Sequence, residues 1–155
     1  MIWHKGRFTI TDEFLAVDMF SVHRLLACTH WAKNRPNIKT EISLANSLCF
    51  SVKEEGMQIG FARVISDQGC CSVVLDVVIH PEYRGQGIGG WLMEVISTHP
   101  SILGTCVVLW TTDKVEFYQS CGFTHEERFQ FMRIAPSSKN TETQTPNRRT
   151  KRYSE

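Results

Sequence analysis

The chain has no apolar run approaching the roughly 18 uninterrupted residues that a membrane-spanning helix needs. Its opening, MIWHKGRFTI, has neither the long apolar stretch nor the small-residue cleavage site of a secretory signal. A cytoplasmic protein is therefore expected, with no membrane partner. A charge excess of one sign is missing too: 17 Lys and Arg face 16 Asp and Glu, a net of +1. No whole-chain field then favours nucleic acid or an anionic surface. There is no CxxC and no HExxH, and the six histidines are scattered. The local spacings that nominate zinc are absent, and no metal is expected. Cys28, Cys49, Cys70, Cys71, Cys106 and Cys121 follow none of the dense spacings of a small secreted scaffold and read as free thiols.

What the sequence does contain is enough for one ordinary domain. Its 155 residues are 42% hydrophobic and 21% charged. From Pro136 to Glu155 the chain holds no aliphatic residue and one aromatic, Tyr153. Such a segment cannot bury enough apolar surface to offset its ordering entropy. The domain is accordingly expected over 1–135, with 136–155 a disordered basic tail carrying Lys139, Arg148, Arg149, Lys151 and Arg152 against Glu142 and Glu155. The tail reads as a solvated segment, and a nucleic-acid or partner arm is the less favoured reading.

Hydropathy patterning predicts a first strand near Arg7 to Thr11. It then gives helices over Asp18 to Thr29 and Ile38 to Leu48, the second with Ile38, Ile42, Leu44, Ala45 and Leu48 as its apolar set. Strands follow over Cys49 to Lys53 and Gln58 to Ile65, around turns at Glu54-Glu55-Gly56 and Ser66-Asp67-Gln68-Gly69. Cys71 to Ile79 is a β-branched run and predicts a central strand buried on both faces, with Asp76 its one charge. A helix over Ile88 to Thr98, a buried strand over Cys106 to Trp110, a short helix over Asp113 to Ser120 and a last strand or two within Phe123 to Ile134 complete the reading. The strand, helix, strand order at the centre implies parallel pairing.

The most informative stretch is Arg84-Gly85-Gln86-Gly87-Ile88-Gly89-Gly90. A glycine-rich turn between a buried strand and a helix lets backbone N–H groups converge on an anion, and the helix start and Arg84 add positive charge. A pyrophosphate or similar group fits that physics. The letters also satisfy GxGxxG, but a dinucleotide turn puts its first glycine at the strand end, and here His80 to Arg84 intervene. A P-loop would need Lys then Ser or Thr after its last glycine, where Trp91 and Leu92 stand.

Val77-Val78-Ile79-His80-Pro81-Glu82-Tyr83-Arg84-Gly85-Gln86-Gly87-Ile88-Gly89 resembles the acetyl-CoA signature of the GNAT superfamily of N-acetyltransferases, whose core is R/Q-x-x-G-x-G/A. Phe117-Tyr118-Gln119-Ser120-Cys121-Gly122-Phe123 resembles that family's second motif. The resemblance covers nearly all of residues 5–134. It implies an α+β fold, with a mixed, mostly antiparallel sheet splayed into a V and flanked by helices, and acetyl-CoA as cosubstrate in the opening. Cofactor contacts would fall on the backbone of Val77, Val78 and Ile79 and on Arg84, Gly85, Gln86, Gly87, Ile88, Gly89 and Gly90.

The implied reaction is direct attack of a substrate amine on the thioester. Tyr118 takes the place of the family's general acid, protonating the departing thiolate. The base is open. Val73 or Leu75 stands where some members carry a glutamate or histidine, leaving Asp76, His80 or a chain of waters. Asp76 is read either as substrate-amine anchor or relayed base, or as a structural hydrogen-bond acceptor, because a buried charge needs a partner or a role. Trp31, in the loop between the first two helices, is read either as lining the acceptor pocket or as a core aromatic at a helix end. A small amine or amino acid is the expected acceptor. A protein or peptide acceptor, a CoA-binding regulatory domain without turnover, and a homodimer remain open. Cys121 at a helix end lacks the dipole that would activate a thiol, so a covalent acetyl-enzyme is not expected.

Overall fold

The computed structural model describes residues 1–128 and 130–134. The tail expected over 136–155 lies outside the described residues. Met1–Thr124 forms one unit and the chain from His125 a second.

Six strands build one sheet in simple chain order: β1 (Ile2–Lys5), β2 (Phe8–Thr11), β3 (Leu48–Glu54), β4 (Met57–Ser66), β5 (Cys71–Ile79) and β6 (Cys106–Val108). Every pair is antiparallel except β5 with β6, which is parallel as the sequence implied. The helices are α1 (Met19–Ala27), α2 (Asn37–Ala45), α3 (Ile88–Thr98) and α4 (Val115–Ser120). The fold is α+β.

Two buried clusters put helices on opposite faces of the sheet. Ile10, Phe50, Val52, Ala62, Val64 and Val74 pack with Ile88, Leu92, Val95 and Ile96 of α3. Phe61 and Val78 pack with Val22, Leu25 and Leu26 of α1 and Leu44 of α2. Each such side chain other than Ala62 contributes about 1.5–3 kcal/mol by leaving water, which is what holds α1 and α2 over the strands that bear the glycine turn. Asp18 caps α1 by accepting hydrogen bonds from the Phe20 and Ser21 amides at 3.1 and 3.3 Å. The β3–β4 turn is closed by Glu55 and Gly56, both at positive φ.

Several expectations need correction. β1 precedes the predicted first strand, paired with β2 across the Gly6-Arg7 turn. Helix α2 stops at Ala45, because Asn46 and Ser47 turn their side chains back onto the carbonyls of Ile42 and Ser43. Its buried residues are Thr40 and Leu44, while Ile38 and Ile42 are exposed. Strand β6 is short and mostly exposed rather than buried. No strand is assigned among the described residues between Phe123 and Ile134. There Arg128 turns back on Glu126, its amide donating at 3.1 Å and its guanidinium at 2.6 and 2.8 Å, a local turn in place of an extended run.

Candidate functional site

Strands β5 and β6 stay together for only three residues, Cys71↔Cys106, Ser72↔Val107 and Val73↔Val108. Beyond Val73, among the described residues, no strand pairs that edge of β5. The backbone of Val77, Val78 and Ile79 therefore presents hydrogen-bonding groups to an opening between the two strands, as an edge that an extended ligand can join. Burial along β5 alternates, with Ser72, Val74, Asp76 and Val78 inward and the residues between them half-buried. The bulge at Asp76 switches the buried face, so Val74 packs in the α3 cluster and Val78 in the α1–α2 cluster, and the strand is covered in part on both faces.

At the end of β5 the chain makes a single 3-10 turn, Pro81–Tyr83, and the Arg84 Nε donates to the Ile79 carbonyl at 3.0 Å, folding the glycine turn back over the strand end. Gly85 and Gly87 lie at φ +76° and +74°, and a Cβ at either would meet no atom within 4 Å. Space is open above them. Gly87 is the N-cap of α3 and offers no side-chain cap, so the first amides of an eleven-residue helix face that space with the helix dipole behind them. Gln86 is exposed, Ile88 is buried under the turn, and Gly89 and Gly90 are half-buried. A Cβ on Gly89 would stand 3.3 Å from the Phe117 ring, so this glycine lets α4 approach α3. The cradle suits a diphosphate in shape and charge.

Tyr118 projects from α4, half-buried between Phe117 and Phe123, with ring centroids 4.9 and 5.9 Å away. Burial, with a smaller contribution from the nearby Cys121 and Asp113, pushes its hydroxyl above the ordinary phenol range. A phenol so placed keeps its proton and can give it to a stronger base.

Asp76 is the bulged residue of β5. The β4–β5 register slips between Phe61 and Arg63, and Asp76 takes φ +54° to absorb the extra residue. Its carboxylate accepts from Arg35 Nη1 and Nη2 at 2.7 and 2.8 Å and from Arg63 Nε at 2.7 Å. Burial alone would raise this carboxyl, but hydrogen bonds from Arg35 and Arg63 outweigh it and hold the group below the usual carboxylate range. Of the two roles the sequence left open for Asp76, the geometry matches the structural acceptor. A carboxylate with both oxygens on guanidinium groups is a poor base and a poor amine anchor.

Arg35 ends the α1–α2 loop. In that loop the Thr29 hydroxyl donates to the Leu26 carbonyl at 2.7 Å and accepts from the Ala32 amide at 3.2 Å, and Ala32 is buried. Trp31 stands 48% exposed beside them, edge-on to His30 at 5.0 Å. His30 Nε2 lies 3.3 Å from Thr112 Oγ1, in the segment between β6 and α4. The loop is thereby tied to β5 at one end and to the stretch after β6 at the other. Sequence reasoning placed the loop from His30 to Arg35 on the acceptor side but missed Arg63 and Thr112 and the contacts that Arg35 and His30 make with Asp76 and Thr112. The usable signal was Asp76 itself, since a charge inside an apolar strand requires a cation, and Arg63 stands in the equally apolar β4.

His80 is half-exposed, and its Nδ1 has no hydrogen-bond partner among the described residues; the Glu82 carboxylate is 3.9 Å away. Burial pushes the Cys49 thiol up to about 11, so it is inert. Among the described residues no group of three His, Cys, Asp or Glu is placed to hold a metal ion, and no helix is long and apolar enough to cross a membrane.

Residues 45–125 match the acetyltransferase (GNAT) domain family. The chain is 32% identical over 130 residues to the uncharacterized N-acetyltransferase ycf52 of Gracilaria tenuistipitata var. liui, covering 77% of this chain and 71% of that protein. It superposes at a TM-score of 0.79 and 31% identity on a crystal structure assigned to the GNAT family from Xanthomonas campestris pv. campestris, over 89% of this chain and all of the other. The fold also matches N-acetylglutamate synthase from Neisseria gonorrhoeae, complexed with coenzyme A and N-acetyl-glutamate, at a TM-score of 0.62 and 14% identity, over 76% of this chain and 28% of that one.

Proposed function

The chain belongs to the GNAT acetyltransferase family, and from that premise we propose that it moves the acetyl group of acetyl-CoA onto the primary amine of a small molecule or amino acid. The family uses acetyl-CoA, and a fold neighbour carries coenzyme A. In this chain the unpaired edge at Val77–Ile79 binds the pantetheine arm as an added strand. The amides from Arg84 to Gly90, with the start of α3, hold the pyrophosphate. A backbone N–H near Val77 meets the acetyl carbonyl, a donor worth about 3 kcal/mol in the transition state. Tyr118 gives its proton to the departing thiolate. With Asp76 held by two guanidinium groups, the amine proton is taken by water.

The observation that favours a small acceptor is the α1–α2 loop. Tied by Arg35 to Asp76 and by His30 to Thr112, it runs from β5 to the stretch after β6 and carries the 48% exposed Trp31, an aromatic face suited to a small amine. Thiol release from acetyl-CoA, measured with amino acids, small alkylamines and lysine-containing peptides, tests this. Turnover with free amines and none with peptides is expected; turnover confined to the peptides overturns the acceptor class.

A further inference from the structure

The Asp76 carboxylate joins three elements that no sequence-local contact connects: β5, through its own backbone; β4, through Arg63; and the α1–α2 loop, through Arg35. The side chains of Asp76, Arg63 and Arg35 are 3%, 10% and 22% exposed. The cluster carries two cations for one anion. Charge neutrality at Asp76 is already met by Arg63, so Arg35 is not needed to compensate it. What Arg35 adds is geometry. Its planar fork holds both carboxylate oxygens at once, which fixes orientation as a single contact cannot.

We propose that Arg35 is a positioning residue that fixes the loop carrying His30 and Trp31 onto the bulge of β5, making the acceptor loop and the CoA-binding strand one mechanical unit. The inference rests on the acetyltransferase reading above for the ligands it names. The bulge is the natural place for the coupling. Asp76, in its left-handed conformation, directly precedes Val77, where the unpaired edge begins, so whatever holds Asp76 also aims that edge. On the other side the loop is stiff. Ala32 is buried, the Arg35 amide donates to the Ala32 carbonyl at 2.9 Å and the Lys33 amide to the Thr29 carbonyl at 3.0 Å. A pull on Arg35 therefore reaches Trp31 four residues earlier. Coenzyme A lying along Val77–Ile79 orders the strand and, through Asp76 and Arg35, the loop, and a loop so ordered binds amine at lower entropic cost.

The test is hydrogen exchange on the full chain, with and without coenzyme A, for wild type, Arg35→Ala and Arg35→Lys. Arg35→Ala leaves the Asp76–Arg63 pair intact, so the variant is expected to fold. In wild type, coenzyme A should slow exchange at Ala32, Lys33 and Arg35 by about fivefold or more. Arg35→Ala should lose that response and the resting protection of the loop while keeping coenzyme A affinity. Arg35→Lys, which keeps the charge and loses the fork, should lose most of it. In turnover both variants should lower kcat/KM for the amine by roughly ten- to a hundredfold, with the KM for acetyl-CoA little changed. Wild-type behaviour of the loop in Arg35→Ala overturns the proposal. So does a loss of protection spread evenly over Phe61 and Val78 as well as the loop, which marks a merely structural pair. If wild type fails to bind coenzyme A, the acetyltransferase reading falls, while resting loop protection in Arg35→Ala still decides the clamp.

Discussion

Tyr118 shows most plainly how one side chain acquires a function from its surroundings. In water a phenol is a weak acid. Half-buried between Phe117 and Phe123, with Cys121 and Asp113 nearby, it is weaker still and stays protonated throughout the physiological range. Tyr118→Phe keeps the aromatic body and its packing, so fold and acetyl-CoA binding should persist while kcat falls by roughly 10²–10⁴, the range for a lost general acid. The upward shift also sets the sign of the pH dependence. The midpoint for loss of the acid form lies above the ordinary phenol value of about 10, so no alkaline limb with its midpoint below that value is expected from this group. Steady-state rates of Tyr118→Phe and wild type from pH 6 to 10 check both points, and a variant within a few-fold of wild type would remove the role. Asp76 is the contrasting residue. Its presence in an apolar strand was visible in the sequence, but its partner Arg35 lies 41 positions away. No periodicity or spacing reports a contact made only when α2 closes over the sheet.

At the scale of elements, α3 was legible from Ile88 to Thr98 because a strong apolar stripe, a glycine start and Pro100 all agree. Helix α2 was not. Ile38 and Ile42 share one side of the helix and read as its buried stripe, yet they are 60% and 57% exposed. The helix seats Leu44 on the Phe61–Val78 face and turns Thr40 inward instead. A nine-residue helix has too few turns for its own pattern to outvote the surface beneath it. Strand β1 escaped because IWHK is only four residues long and depends on its partner β2. The glycine turn is where sequence and structure agree most closely, and its element-level prediction follows from Gly87. At φ +74° any side chain is strained by roughly 1–2 kcal/mol. The space into which a Cβ would project is the space assigned to the pyrophosphate. In wild type, acetyl-CoA at about 100 times its dissociation constant should add near 2.7 kcal/mol of stability. Gly87→Val should lower the melting temperature modestly and abolish that ligand-induced rise. A variant that keeps the full rise would show that the phosphates lie elsewhere.

Across the whole described molecule, one geometric fact organises the rest. Two parallel strands meet for three residues and then separate, and every candidate group lies on one side or the other of that opening: the edge of β5 with the glycine turn, α4 with Tyr118, and the loop of Trp31 that crosses between them. The sequence motifs located the first two. The loop of Trp31 was also expected at the acceptor side, but its ties to Asp76 and Thr112 emerged only from the coordinates, because they are long-range and involve polar residues that look like ordinary surface. The most direct measurement is a titration of the isotope-labelled full chain with coenzyme A, followed by backbone amide chemical shifts. Binding in the opening predicts the largest changes at Val77–Ile79 and Gly85–Gly90, with smaller ones at Tyr118 and Ala32. Saturable binding that leaves Val77–Ile79 and Gly85–Gly90 unmoved, or no binding at all, would contradict the account.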